Sequence, residues 1–151
     1  MIRVEGYEKH RHFDRIQEMK LREADRNELL ASSGSLDLMP SVRMSDIVCH
    51  VYLNGDDIIA LSGASHTEVE GYATVWALGT DDTLVYWDEV EPLFTLHVHA
   101  VLDEPGIVLI GNKIDMRNKA HIRWLQKLDF TFSGKYVELG GQKFEIFYKG
   151  K

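Results

Sequence analysis

The segment from Gly106 to Phe130, GIVLIGNKIDMRNKAHIRWLQKLDF, constrains the fold most, because its hydrophobic period changes within one short stretch. Ile107, Val108, Leu109 and Ile110 form an uninterrupted apolar run, the pattern of a strand covered on both faces. A polar turn follows. Asn118 then stands where its side chain can accept a backbone N–H of a helix's first turn, and Ile122, Leu125 and Leu128 recur on one face, with Arg123 and Lys127 on the other. Phe130 opens another strand. The segment therefore reads strand, turn, helix, strand.

The rest of the chain extends this α/β alternation. Ile2 to Glu5 is a candidate first strand, and His10 to Ser32 reads as helical until Ser32-Ser33-Gly34-Ser35 breaks it. A short helix over Met39 to Asp46 follows, opening at Pro40. Ile47–Leu53 and Ile58–Ser62 flank Asn54-Gly55-Asp56-Asp57, a strong hairpin signal. In Gly71 to Leu78, Tyr72, Thr74, Trp76 and Leu78 alternate with Ala73, Val75 and Ala77. Phe94 to Leu102 alternates like a strand, yet Leu93, Leu96, His97, Ala100 and Val101 also form a helical stripe, and Pro92 suits a helix's first turn. A helix is the reading adopted.

Length and charge exclude several classes. With 151 residues and no linker, repeat or low-complexity tract, residues 1–151 read as a single domain. No apolar run approaches the roughly 20 residues that span a bilayer, and MIRVEGYEKHRH lacks the apolar core of a secretory signal. A net charge of −7 gives no field that favours phosphate backbones, so nucleic acid is not the expected partner. The single cysteine, Cys49, lies in an apolar alternating run and reads as a packed thiol, not a nucleophile.

The Asn118 helix and its Leu128-Asp129-Phe130 ending resemble the C-terminal half of the GNAT (acyl-CoA N-acyltransferase) fold. A closer resemblance is to a small group of GNAT-like proteins of short-tailed phages, among them minor internal virion and assembly proteins. It rests on Asn118, the run His121-Ile122-Arg123-Trp124-Leu125, Phe130, and the late strand Gly141 to Phe147. The likeness extends more weakly to Leu21–Arg26, Ala31–Gly34 and Trp76–Asp81. It implies a GNAT-like mixed central sheet flanked by helices, with acetyl-CoA as the possible cofactor. Trp76, Ala77, Leu78, Gly79, Thr80 and Asn118 are the positions that would hold it.

Two departures separate the chain from working members of that fold. The loop that normally carries a basic residue and several small ones, so that backbone N–H groups can approach the CoA diphosphate, reads Leu78-Gly79-Thr80-Asp81-Asp82-Thr83. Only one glycine remains, and Asp81 or Asp82 is placed to cap the next helix with a carboxylate. The place of the usual acidic Tyr on the last large helix is Leu125. No catalytic residue carries over.

Other chemistry is thinner. His97-x-His99 would share an ion on a strand, but on a helix the two diverge, and no third ligand accompanies them, so no metal is expected. Asp56-Asp57, Asp81-Asp82, Asp88-Glu89 and Asp103-Glu104 each offer a general base, although such pairs usually sit in solvated turns. Arg117, Lys119, Arg123 and Lys127 form a basic face suited to solvent, an acidic partner or a CoA 3′-phosphate. Trp76, Trp87 and Trp124 read as filling between sheet and helix.

The expected function is therefore a phage-encoded GNAT-like protein with a degenerate acyl-CoA site. It would work through contacts with phage or host proteins in virion assembly or the infected cell, in host cytoplasm or virion. The alternatives are an active acetyl-CoA-dependent N-acetyltransferase on an unknown amine and, more weakly, a metal-dependent enzyme.

Overall fold

The computed structural model describes residues 1–151. Its strands are β1 (Ile2–Gly6), β2 (Val48–Asn54), β3 (Asp57–His66), β4 (Tyr72–Gly79), β5 (Leu109–Asp115), β6 (Thr131–Leu139) and β7 (Gln142–Gly150). Its helices are α1 (Lys9–Gln17), α2 (Glu23–Ser33), α3 (Met39–Met44), α4 (Asp82–Val85), α5 (Trp87–Leu102) and α6 (Lys119–Lys127). The strands form one seven-stranded sheet in the order β1-β2-β3-β4-β5-β7-β6. Only β4 and β5 run parallel, and α5 lies in the crossover that such a pair needs.

Both sheet faces are covered, which explains why β4 is apolar at every position but Thr74. On one face Tyr52, Val75, Phe94, Ile110, Trp124 and Phe147 belong to a single core under α5 and α6. On the other, Ile16, Leu29, Met39, Val51, Leu61 and Leu78 pack beneath α1, α2 and α3. Trp124, Trp87, Phe94 and Tyr52 meet edge to face or tilted, so two of the three tryptophans fill the first core. Trp76 packs against the second core and donates its indole N–H to Ser45 Oγ at 2.8 Å.

Several local expectations are corrected. His10 to Ser32 is two helices, because Leu21 leaves the helical path to form an isolated bridge with Thr80, and the Arg22 N–H bonds the Gly79 carbonyl. The strand placed at Ile107–Ile110 begins at Leu109 and runs through the supposed turn to Asp115, because Lys113, Ile114 and Asp115 pair with β7. Gly111 is the residue that lets the two strands close, since any Cβ there would collide with the Phe147 carbonyl. Helix α5 starts at Trp87, so Pro92 lies inside it and not in its first turn. No helix is long and apolar enough to cross a membrane.

Candidate functional site

Strands β4 and β5 are paired only at Tyr72/Leu109, Ala73/Ile110 and Thr74/Gly111. Beyond those pairs they separate, because each arm is held by its other neighbour: β4 by β3 as far as Gly79 opposite Ala60, and β5 by β7 as far as Asp115 opposite Phe144. At the fork the Asn112 amide donates to the Val75 carbonyl at 2.9 Å, filling one bond the diverging backbones no longer make. The sheet therefore opens into a wedge.

Two cavities meet in that wedge. One of about 440 Å³ is lined from both faces of the sheet, by Glu28, Leu29, Trp76 and Leu139 on the α2 side and by Phe94, His97 and Trp124 on the α5 side. The other, of about 340 Å³, lies between Gly79, Thr83 and Trp87 on one side and Arg22, Arg123 and Lys127 on the other. Ala77, Leu78, Phe94, His121 and Trp124 line both. His97 Nε2 and Trp124 Nε1 are buried without a hydrogen-bond partner. An orphaned donor of this kind costs roughly 1–3 kcal/mol, which a ligand oxygen would recover.

A buried polar network closes the wide end of the wedge. Asp25, three residues after Arg22 and three before Glu28, presents its carboxylate to three partners: the Gly79 N–H at 2.8 Å, the Asn118 amide at 2.9 Å and the Arg22 guanidinium at 3.1 Å. Arg22 also donates to Asn118 Oδ1 at 2.5 Å. Asn118 does occupy the N-cap position of α6, yet its side chain makes no capping bond, because both ends are committed to this network. Asp81 likewise precedes α4 without capping it.

Glu28 sits one turn further along α2. One oxygen accepts the Asp115 N–H at 2.8 Å, and the other makes no hydrogen bond. Burial pushes its carboxyl up to about 8, with the Asp25 and Asp115 carboxylates adding to the rise and the Asp115 N–H and Arg22 opposing it. Asp115 itself is held below the usual range despite burial, by Arg117, whose guanidinium chelates it at 2.6 to 3.2 Å. Burial pushes the neighbouring His121 imidazole down to about 4, so Glu28 and His121 are both uncharged at neutral pH.

Asp25, Glu28 and His121 bring possible ligand atoms within 4.8 Å of one another. The Arg22 guanidinium is already paired with Asp25, and its positive charge would oppose a cation there. His97 and His99 diverge on α5: His97 is buried beside His50, with Nδ1 atoms 3.2 Å apart, whereas His99 is exposed.

The expected cofactor positions divide in two. Trp76, Ala77 and Leu78 form the β4 arm of the wedge, and Asn118 lies at its wide end. Gly79 and Thr80 do not offer free N–H groups: Asp25 takes the first and the Ile59 carbonyl the second, while the Thr83 and Leu84 N–H groups bond Thr80 and Asp81 within the turn. A backbone cradle for a diphosphate is therefore only partly open, with the Asp81 and Asp82 N–H groups unpaired in the turn and Arg22, Arg123 and Lys127 as the cations around the adjoining cavity. Glu28 was missed in the sequence: a lone acid among the mixed residues of α2 is distinguished only by its burial.

No protein-family model and no curated protein matches the sequence. Solved structures do match over the whole chain. The acetyltransferase of the GNAT family from Streptococcus pneumoniae superposes with a TM-score of 0.66 at 13% identity, covering 100% of both chains. The GNAT domain of S. lividans PAT gives a TM-score of 0.71 at 16% identity over 99% of this chain and 89% of that one. The aminoglycoside acetyltransferase AAC(6')-Ib, solved with coenzyme A, gives 0.67 at 13% identity over 100% and 95%. The forked sheet, the parallel β4–β5 pair and these superpositions agree: the chain has the fold of a GNAT acetyltransferase.

Proposed function

We propose that the chain transfers an acyl group from an acyl-CoA, acetyl-CoA in the simplest case, to an amine. The observation that carries this reading is the cavity lined from both faces of the split sheet, which gives a thioester and an amine separate routes to one point between β4 and β5. The unpartnered Trp124 Nε1–H supports it, since a polar ligand atom is what such a buried donor lacks. With the Gly79, Thr80, Thr83 and Leu84 N–H groups engaged and Arg22 held by Asp25, the diphosphate is left to the Asp81 and Asp82 N–H groups with Arg123 and Lys127, and affinity should be modest. Calorimetric titration with acetyl-CoA, followed by an acetyl-transfer assay on a panel of amines, tests the reading; no saturable binding at millimolar acetyl-CoA sinks it.

One observation favours a second reading, a GNAT-like protein that has given up the cofactor and acts through contacts with phage or host proteins in virion assembly. It is the Asp25 carboxylate on the Gly79 N–H, which occupies the first backbone donor of the turn where a diphosphate would lie. The same titration separates the two.

A further inference from the structure

We propose that Glu28 receives the acceptor: a cationic primary amine on an apolar or aromatic body enters from the α2 and α3 side, binds its ammonium to the free carboxyl oxygen of Glu28, and surrenders its proton there. This rests on the transferase reading for the transfer step only; amine recognition stands on the geometry below.

Glu28 is the one carboxylate in the lining of the larger cavity. Its Oε1 is fixed by the Asp115 N–H, which orients the carboxyl, and Oε2 makes no hydrogen bond. On that side the wall is apolar, with Leu29, Met44, Trp76, Leu139 and Phe144, while Ser32 and Ser41 add small polar contacts. A cavity of this size and character suits a compact amine with one charged end. The formal charge of −7 favours the approach of a cation.

No cation forms an ion pair with Glu28. From α2, Asp25 and Arg22 neutralise one another; from β5 and the turn after it, Asp115 and Arg117 do the same; Lys113 lines the cavity from β5 with its side chain exposed and pairs with no carboxylate; from α6, His121 is uncharged at neutral pH. An ammonium is therefore the charge the site lacks, and its arrival should expel the proton that the empty cavity keeps on Glu28. The bound ammonium first gives one proton to the ionised Glu28, which passes it to solvent. The neutral amine nitrogen then forms its bond to the acyl carbon as the carbon–sulfur bond breaks, its next proton leaves through Glu28 to solvent, and the departing thiolate takes one from solvent, so of the two protons lost by the ammonium one is balanced on sulfur and one is released.

The test needs only the protein and two probes, 2-phenylethylamine and its neutral analogue 2-phenylethanol, titrated at pH 7 in buffers of different ionisation enthalpy. The wild type should bind the amine with net proton release. Glu28→Gln, which keeps the oxygen that accepts the Asp115 N–H, should bind it about 10- to 100-fold more weakly with no release. Glu28→Asp should restore release at reduced affinity, and 2-phenylethanol should bind both proteins equally. Equal affinity and equal proton release for wild type and Glu28→Gln, or no amine binding at all, overturns the proposal. Glu28-dependent binding with no acetyl-CoA binding would leave this inference standing and remove the transferase reading.

Discussion

Asp25 Oδ2 accepts the N–H of Gly79 at 2.8 Å, so a helix residue and the last residue of β4 are joined at the mouth of the split sheet. The same carboxylate reaches Asn118 at the start of α6. One side chain thus ties together α2, β4 and α6, three elements far apart in the sequence.

Asp25→Ala should accordingly be among the most damaging single changes. It leaves the Arg22 guanidinium, the Gly79 N–H and the Asn118 amide without their acceptor, and breaking a buried ion pair costs about 3–5 kcal/mol. Asn118→Ala removes one donor and one acceptor but keeps the ion pair, so roughly 1–3 kcal/mol is expected. Urea unfolding of both variants checks the order, and a milder Asp25 variant would contradict it.

Stability should peak near pH 6.5, for reasons of opposite sign. The folded-state values of His97 and His121 are lowered by burial to about 4, so the unfolded chain binds more protons below the ordinary histidine value, and stability falls as pH drops from there. Glu28 is raised to about 8, so the folded chain keeps a proton that the unfolded chain loses above about 4.5, and stability falls as pH rises from 4.5 to 8. Below 6.5 two histidines outweigh one carboxyl; above it Glu28 acts alone. Glu28→Gln should therefore be more stable than wild type at pH 9 and no more stable at pH 4, as denaturant midpoints at the two pH values would show.

Cys49 should resist alkylation in the native state. Burial pushes its thiol up to about 12, so almost no thiolate exists at pH 8. Iodoacetamide labelling followed by mass spectrometry should be slow until denaturant is added. Rapid native labelling would show that the thiol is open.

Which of these features the sequence discloses depends on whether their cause is local. The Asn54-Gly55 hairpin was legible because its turn chemistry is written in two residues, and β2 and β3 do pair around it. Helix α5 is not decided by local pattern, since its stripe competes with a strand-like alternation; the GNAT resemblance, which requires a crossover helix before β5, tips the reading. The break between α1 and α2 was not legible, since Gln17 to Arg22 holds no Gly or Pro, and the helix yields there to a bridge with Thr80, far along the chain. Asn118 was read as a cap because capping is a local bond; in the fold its amide is worth more to Arg22 and Asp25, which approach from α2. Glu28 gave no signal, because burial beside the fork is a tertiary fact.

Leu125 is a packed core residue, 2% exposed. Leu125→Ala should cost about 2–5 kcal/mol through the cavity it leaves. Leu125→Tyr should be harmful as well, since an added ring and hydroxyl would have to fit among close-packed neighbours. Thermal unfolding of the two variants measures this, and a fully stable Leu125→Tyr protein would mean that the wedge has room held in reserve.

The turn after β4 yields the sharpest structural forecast. Gly79 has no Cβ to place against Thr83, whose hydroxyl donates to the Ile59 carbonyl at 3.0 Å and is buried in that contact. A methyl at position 79 would overlap the Thr83 side chain, so Gly79→Ala must either push α4 outward or pull β4 away from Asp25. Thr83→Ala removes the hydroxyl and methyl, leaving only the Cβ at 2.9 Å from the added methyl, and it leaves the Ile59 carbonyl with the Thr80 N–H and hydroxyl, which already reach it at 2.9 and 3.0 Å, so that change alone should be mild. The two substitutions touch the same few atoms, and their effects should not add. Gly79→Ala alone should destabilise strongly, and Gly79→Ala in a Thr83→Ala background should cost markedly less, a coupling that a double-mutant cycle in urea would read directly. If the cost of Gly79→Ala were the same in both backgrounds, the close approach of β4 to the α4 turn would not be what requires glycine there.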